Sequence, residues 1–247
     1  MEEPTKLAEG VVRLGTPMVN WYLVAGEEGV VVVDAGLPKY WPQLEPGLQL
    51  LGAEIGDVRA VLLTHTDGDH MGVAERLRSE HGVGVWVHPE DEATALKPRP
   101  KKTDGKLLPY VFSPTAYRLF WHIGRAGASP KAVKETRLYP AAGGALELPG
   151  DPVVIPTPGH TPGHVAIHFP SRSALFVGDA MCTWNPLTGR RGAQRFPSAL
   201  NNRSGLARRS LAAIEPLEAD LLLPGHGEPW TGGPAAAVAE ALEAPAS

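Results

Sequence analysis

The run Thr64-His65-Thr66-Asp67-Gly68-Asp69-His70 places two imidazoles and two carboxylates within six positions, directly after the apolar stretch Arg59-Ala-Val-Leu-Leu63. At the end of a buried strand each of these side chains would need a polar partner, and a divalent cation can serve them all at once. The run therefore points to metal-dependent chemistry. Gly68 suits a crowded turn where backbone comes close to an ion.

Similar groups recur along the chain. Thr157-Pro158-Gly159-His160-Thr161-Pro162-Gly163-His164 follows an apolar stretch at 153–156, Gly178-Asp179 follows 174–177, and Gly225-His226-Gly227 follows 221–223. Each sets a polar residue in a glycine-rich turn after an apolar strand, where a rigid scaffold presents functional groups. A single histidine in such a turn is usually a surface or hydrogen-bonded residue. Several of these elements in one chain argue for a shared site.

The elements that must position these turns read as alternating strands and helices. Residues 11–14, 18–25 and 29–34 read as strands, the last two joined by a turn at 26–29. Residues 44–51 read as a short helix, 60–64 as a strand, 73–80 as a helix stopped by Gly82, and 83–88 as a strand. Later strands are expected at 153–156, 165–169, 174–177 and 220–223, with helices at 206–215 and 235–242. Strands in both halves with helices between them predict an α/β protein of two packed sheets covered by helices.

A chain of 247 residues, 43% of them hydrophobic, can bury a full core, and one domain over 1–247 is the expectation. A net charge of -4 gives no overall footprint for nucleic acid or an anionic membrane. No apolar stretch approaches the ~20 residues needed to span a bilayer. The acidic start Met1-Glu2-Glu3-Pro4 is unlike a signal peptide, so a cytoplasmic protein with no membrane partner is expected. The only cysteine, Cys182, cannot form an internal disulfide and reads as a small filler near the core.

Taken together, the motifs resemble those of metallo-β-lactamase-fold hydrolases, in the glyoxalase II and lactonase-like branch, from about Val11 to Pro229. The matching parts are Val33-Asp34-Ala35-Gly36, the His-x-His-x-Asp-His run with Asp67 in place of its second histidine, the Pro-Gly-His-Thr-Pro-Gly-His turn, Gly178-Asp179 and the final Pro-Gly-His-Gly. The resemblance implies a four-layer αββα sandwich with two divalent metal ions at one edge of the sheets. It implies a first site with His65 and His160, a second with Asp69, His70 and His226, and Asp179 bridging both. Asp34 and His164 would orient these ligands rather than bind metal.

Asp67 departs from the family pattern. As a ligand of the first ion it would add negative charge and favour harder ions such as manganese or iron beside the family's zinc. The competing reading is a solvated loop carboxylate in a protein with one metal. Flavodiiron proteins share the fold, carry a carboxylate there and bind iron.

Metal ions lower the pKa of bound water from ~15.7 toward ~7, so a metal-bound hydroxide would be the nucleophile, with Asp69 orienting it and handling its proton. Between Lys97 and Arg137 lie ten basic residues against two acidic ones, and six arginines lie between Asn185 and Ile214 with no acid. The first segment reads as an insertion at about 97–140 with an aromatic helix over 113–124. A basic, aromatic lid would suit an anionic small-molecule substrate, with Tyr117, Trp121, His122 and Trp184 as candidate substrate contacts. A solvated face or a homodimer contact is the competing reading.

The expected activity is hydrolysis of an ester, thioester or lactone. Glyoxalase II itself adds a C-terminal helical region, whereas 21 residues follow His226 here. Phosphodiester or nucleic-acid cleavage is an alternative that the acidic net charge disfavours. An iron-dependent oxidoreductase of the same fold is another, which Asp67 would explain.

Overall fold

The computed structural model describes residues 2–127 and 131–245. Seven strands form the first sheet in sequence order: β1 (Thr5–Ala8), β2 (Val11–Thr16), β3 (Val19–Gly26), β4 (Gly29–Val33), β5 (Val58–Leu62), β6 (Gly84–Val87) and β7 (Arg137–Leu138). The first four pair antiparallel and the rest join in parallel. The second sheet contains β8 (Gly144–Ala145), β9 (Val153–Pro156), β10 (Val165–Phe169), β11 (Ala174–Gly178) and, after the separate hairpin of β12 (Met181–Trp184) and β13 (Arg191–Arg195), β14 (Leu221–Pro224). Its order is β14-β11-β10-β9-β8, with β11 and β14 parallel.

Side-chain alternation accounts for the layers. On β4, Val31 and Val33 face the second sheet, meeting Val165, Ile167, Phe169 and Phe176, while Val30 and Val32 face a cluster that includes Leu44, Leu48, Ala74 and Leu77. Both faces are covered, so β4 reads as an unbroken run of valines. On the far side, Ala166, Leu175, Val177 and Leu222 pack against Leu211, Ile214, Ala237 and Val238. The helices α1 (Leu44–Gln49), α2 (Ala74–His81) and α3 (Pro89–Leu96) follow strands of the first sheet; α4 (Pro114–Ala126), α5 (Ser204–Ser210) and α6 (Pro234–Glu243) come later. Helix, sheet, sheet, helix is the predicted αββα sandwich. Among the described residues no helix is long and apolar enough to cross a membrane.

Several boundaries differ from the sequence reading. The helix expected at 206–215 begins at Ser204 and ends at Ser210, where the chain tightens into a 3-10 turn over Leu211–Ala213. The segment read as an insertion at about 97–140 ends in strand β7. Arg137–Leu138 pairs with β6, and Tyr139 is buried between the sheets with its hydroxyl donating to the Leu63 carbonyl at 3.1 Å. Cys182 lies buried on β12, where burial pushes its thiol well up.

Candidate metal centre

Asp34, His65, Asp179 and His226 all follow the C-terminal ends of strands, namely β4, β5, β11 and β14. Because β4 and β5 are parallel, as are β11 and β14, these ends gather at one edge of the sandwich. The sheets are joined there by the Val165 amide donating to the Thr64 carbonyl at 2.8 Å. Asn20 and Tyr22 on β3 hold the last turn: the Asn20 amide side chain donates to the carbonyls of Pro224 (3.0 Å) and Gly227 (2.7 Å), and the Tyr22 hydroxyl to that of Pro224 (2.7 Å). Two glycines allow the close approach. A Cβ at Gly225 would lie 2.4 Å from Asp179 Oδ1, and Gly178, at φ +47°, passes Thr64 Oγ1 where a Cβ would come within 2.5 Å.

The Asp179 carboxylate stands among four imidazoles. Its oxygens are 3.7 Å from His65 Nε2, 3.7 Å from His70 Nε2, 3.3 Å from His160 Nε2 and 3.4 Å from His226 Nε2. Asp67 Oδ2 is 3.1 Å from His160 Nε2 and 3.9 Å from His65 Nε2; Asp69 Oδ2 is 3.6 Å from His226 Nε2 and 4.0 Å from His70 Nε2. The site thus divides into two groups, His65/Asp67/His160 and Asp69/His70/His226, that share Asp179.

Hydrogen bonds settle which nitrogen of each ring faces inward. The Thr64 hydroxyl gives its proton to Asp34 (2.9 Å), so it accepts from His65 Nδ1–H at 3.0 Å. Asn201 uses its NH2 on the Phe196 carbonyl, so its Oδ1 accepts from His160 Nδ1–H at 2.9 Å. His70 Nδ1–H donates to Asp34 Oδ2 at 2.9 Å, and His226 Nδ1–H donates to the Met18 carbonyl. All four rings therefore turn Nε2 toward Asp179. His164 is placed otherwise. Its Nε2 accepts the Asp179 backbone amide at 3.0 Å and its Nδ1–H donates to Thr157 Oγ1 at 2.8 Å, so both nitrogens are used.

Charge follows the same division. Burial and the neighbouring His70, His160 and His164 push His65 well below the usual histidine range. Burial also opposes charge on His70, but Asp34, Asp179 and Asp69 outweigh it and raise that ring to about 10. His226 is raised as well, because Asp179 and Asp69 overcome its burial. Burial would raise the Asp179 carboxyl, yet His226, His70 and His160 hold it far below the carboxylate range.

The donor set fits divalent ions. Among the described residues His65 Nε2, His70 Nε2 and Asp179 Oδ1 are buried with no hydrogen-bond partner, a costly state that an ion would relieve. Ligand atoms ~2.1 Å from a tetrahedral ion lie about 3.4 Å from one another. The observed separations of 3.1 to 3.9 Å in the first group and 3.4 to 4.0 Å in the second bracket that value.

Of the remaining expected residues, Tyr117 and Trp121 lie exposed on α4, with the Arg125 guanidinium 4.8 Å over the Trp121 ring. His122 faces inward, its Nε2 2.5 Å from the Tyr40 hydroxyl. Trp184, half-buried at the end of β12, lies beside Gly227. Helix α4 braces the loops after β12 and β13, packing Ala116 with Leu187 and Ala199. Not every basic residue turns toward the site: Arg195 donates to the Ala244 carbonyl at 2.9 Å.

Four participants escaped the sequence reading. Thr64 and Asn201 orient His65 and His160. Buried Asp91 pins the His160 turn, accepting from Thr161 Oγ1 (2.6 Å) and the Gly163 amide (2.8 Å). Lys101, counted only among basic residues, contacts Asp67 Oδ2 and lies 2.7 Å from His160 Nε2.

At the edge of the αββα sandwich, Asp179 stands between two His/Asp groups that could hold metal ions, as a metallo-hydrolase requires. The chain belongs to the metallo-beta-lactamase superfamily, whose family model matches residues 14–226. It is 26% identical to a probable metallo-hydrolase, YflN, of Bacillus subtilis (strain 168), over 91% of this chain and 86% of that one. It is 25% identical to the hydroxyacylglutathione hydrolase GloC of Haemophilus influenzae, over 72% of each. In structure it is similar to the Rm3 metallo-beta-lactamase, with a TM-score of 0.72, 21% identity and coverage of 98% of this chain and 92% of the other.

Proposed function

We propose that the protein hydrolyses an ester, thioester or lactone bond of an anionic small molecule, using two divalent ions held by His65, Asp67, His160 and Asp179 on one side and Asp69, His70, His226 and Asp179 on the other. The observation that carries this reading is the single carboxylate of Asp179 facing four imidazole nitrogens at 3.3 to 3.7 Å. Zinc suits the four imidazoles; the carboxylates of Asp67, Asp69 and Asp179 also admit manganese or iron. When bound, such ions make water nucleophilic near neutral pH and polarise the scissile carbonyl.

The chain's own residues supply the rest. Asp34, Thr64, Asn201 and the Met18 carbonyl fix the ring orientations, so no reorganisation is needed as charge develops. Asp69, whose side chain is 17% exposed, orients the attacking water and takes its proton. Arg99, Lys101 and Lys102 line a cleft of about 390 Å³ together with Asp67, Glu90 and Asp91. The excess of basic residues over 97–137 and 185–214 favours an anionic substrate. The relatives named hydroxyacylglutathione hydrolase favour a thioester.

The test is a panel of an anionic acyl thioester, a lactone and a phosphodiester, assayed with zinc, manganese or iron and after chelation. Acyl hydrolysis that chelation abolishes and metal restores is expected, with Asp69→Ala and His160→Ala inactive but folded. Undiminished hydrolysis after chelation, phosphodiester cleavage alone, or oxygen consumption with iron in place of hydrolysis would overturn the reading.

A further inference from the structure

Lys101 is held in place by more than its charge. The segment that carries it runs along the loop that carries Asn201: the Asp104 amide donates to the Asn201 carbonyl at 2.9 Å, the Gly105 amide to the Ser198 carbonyl at 3.0 Å, and the Asn202 side chain to the Lys102 carbonyl at 2.8 Å. Asp104 Oδ2 in turn accepts the Ser204 amide at 2.6 Å. Asn201 is also the residue that orients His160. The lysine backbone and one metal-facing histidine are therefore fixed to the same loop.

From that anchor the Lys101 side chain, 18% exposed, places Nζ against Asp67 Oδ2 and 2.7 Å from His160 Nε2. His160 has already committed its Nδ1–H to Asn201, so the lone pair on Nε2 accepts from the ammonium. An ion bound by Asp67 and His160 would sit ~2.1 Å from the same two atoms. Ammonium and ion would thus claim one position and cannot both hold it. The cleft lined by Arg99, Thr161 and Asn202 gives the displaced side chain room to swing into.

We propose that Lys101 is a tethered competitor for the first metal position, an internal cation that fills the His65/Asp67/His160 group and must leave before an ion binds there. This rests on the two-ion reading above and adds that the two positions differ in how they fill. Asp67 gives the lysine its purpose: a carboxylate in a buried group demands a counter-charge, and the chain supplies one. An ammonium in place about nine-tenths of the time lowers the apparent affinity of that position about tenfold, because only the vacated fraction is competent.

Titration of the metal-free protein with zinc against a chromophoric chelator resolves the two dissociation constants. With Lys101→Met, which keeps length and loses charge, one constant should tighten about tenfold or more and the other change less than about threefold. Lys102→Met controls for general electrostatics and should move neither. In a His160→Ala background, which removes the contested position, Lys101→Met should leave the remaining affinity unchanged. Equal tightening of both constants, no change, weaker binding, or an undiminished effect without His160 would each overturn the proposal. A wild-type protein that binds no metal would instead overturn the functional reading on which it rests, and the proposal with it.

Discussion

On one side of Asp179, His70 and His226 are tied to the Asp34 carboxylate and the Met18 carbonyl, and His70 is raised to about 10; on the other, His65 is pushed low and the cation present is Lys101. Both sides gather carboxylates around imidazoles in a buried setting, so both need positive charge. One side takes it as a proton on His70, the other from a lysine on a neighbouring loop. A metal ion displaces a proton in the first case and a side chain in the second. The two halves should therefore respond differently to pH and to mutation, although their ligands are of the same kinds.

The largest effect should come from what the halves share. Asp179→Ala removes the carboxylate that faces all four rings, and metal content should drop from both positions with a loss of turnover of about 10³-fold or more. Elemental analysis beside steady-state kinetics checks this; two retained ions with normal turnover would disprove the shared ligand. Next come the residues that orient the rings. Asp34 holds His70 directly and His65 through Thr64, so Asp34→Ala should weaken both affinities by about 10–100-fold. Asn201 serves His160 alone, and Asn201→Ala should weaken one affinity by about tenfold and spare the other. Calorimetric titration of the two variants separates a shared support from a one-sided one.

The share of this arrangement that was legible beforehand follows from how each part is encoded. Strands buried on both faces write themselves as continuous runs, Val30 to Val33 being the clearest, and glycine-rich turns after them announce His160, Asp179 and His226. Helix α3 escaped because Pro-Glu-Asp-Glu-Ala-Thr-Ala-Leu buries only Asp91 and Ala95, which is no apolar stripe. That loss concealed Asp91, whose carboxylate fixes the His160 turn. The Met18 contribution is a backbone carbonyl and leaves no mark in residue type. Lys101 sits in a basic, proline-containing run that reads as a lid or as a solvated face, with nothing in it that marks one lysine for Asp67. The pairing of residues 102–105 with 198–202 brings it to Asp67, and a contact across nearly a hundred residues has no local signature.

The smallest predicted effect separates the halves by pH, using the metal-free protein. The folded value of about 10 for His70 lies above its ordinary ~6.5. Its protonated form therefore stabilises the metal-free fold fully below about pH 6.5, and that contribution is lost as pH rises toward about 10. With chelator present, the melting temperature should fall by on the order of 5 °C between about pH 6.5 and about pH 9.5. Zinc should reverse the slope, since an ion needs the deprotonated ring and gains affinity as the competing proton leaves. Replacing His70 with Gln should reduce the metal-free slope to the part that the raised His226 contributes, whereas the same replacement at His65, pushed below the usual histidine range, should leave the slope in place. A metal-free protein that grows more stable from about pH 6.5 to about pH 9.5 would show that the carboxylates around His70 do not hold a proton, and that the two halves do not differ in the cation an ion must displace.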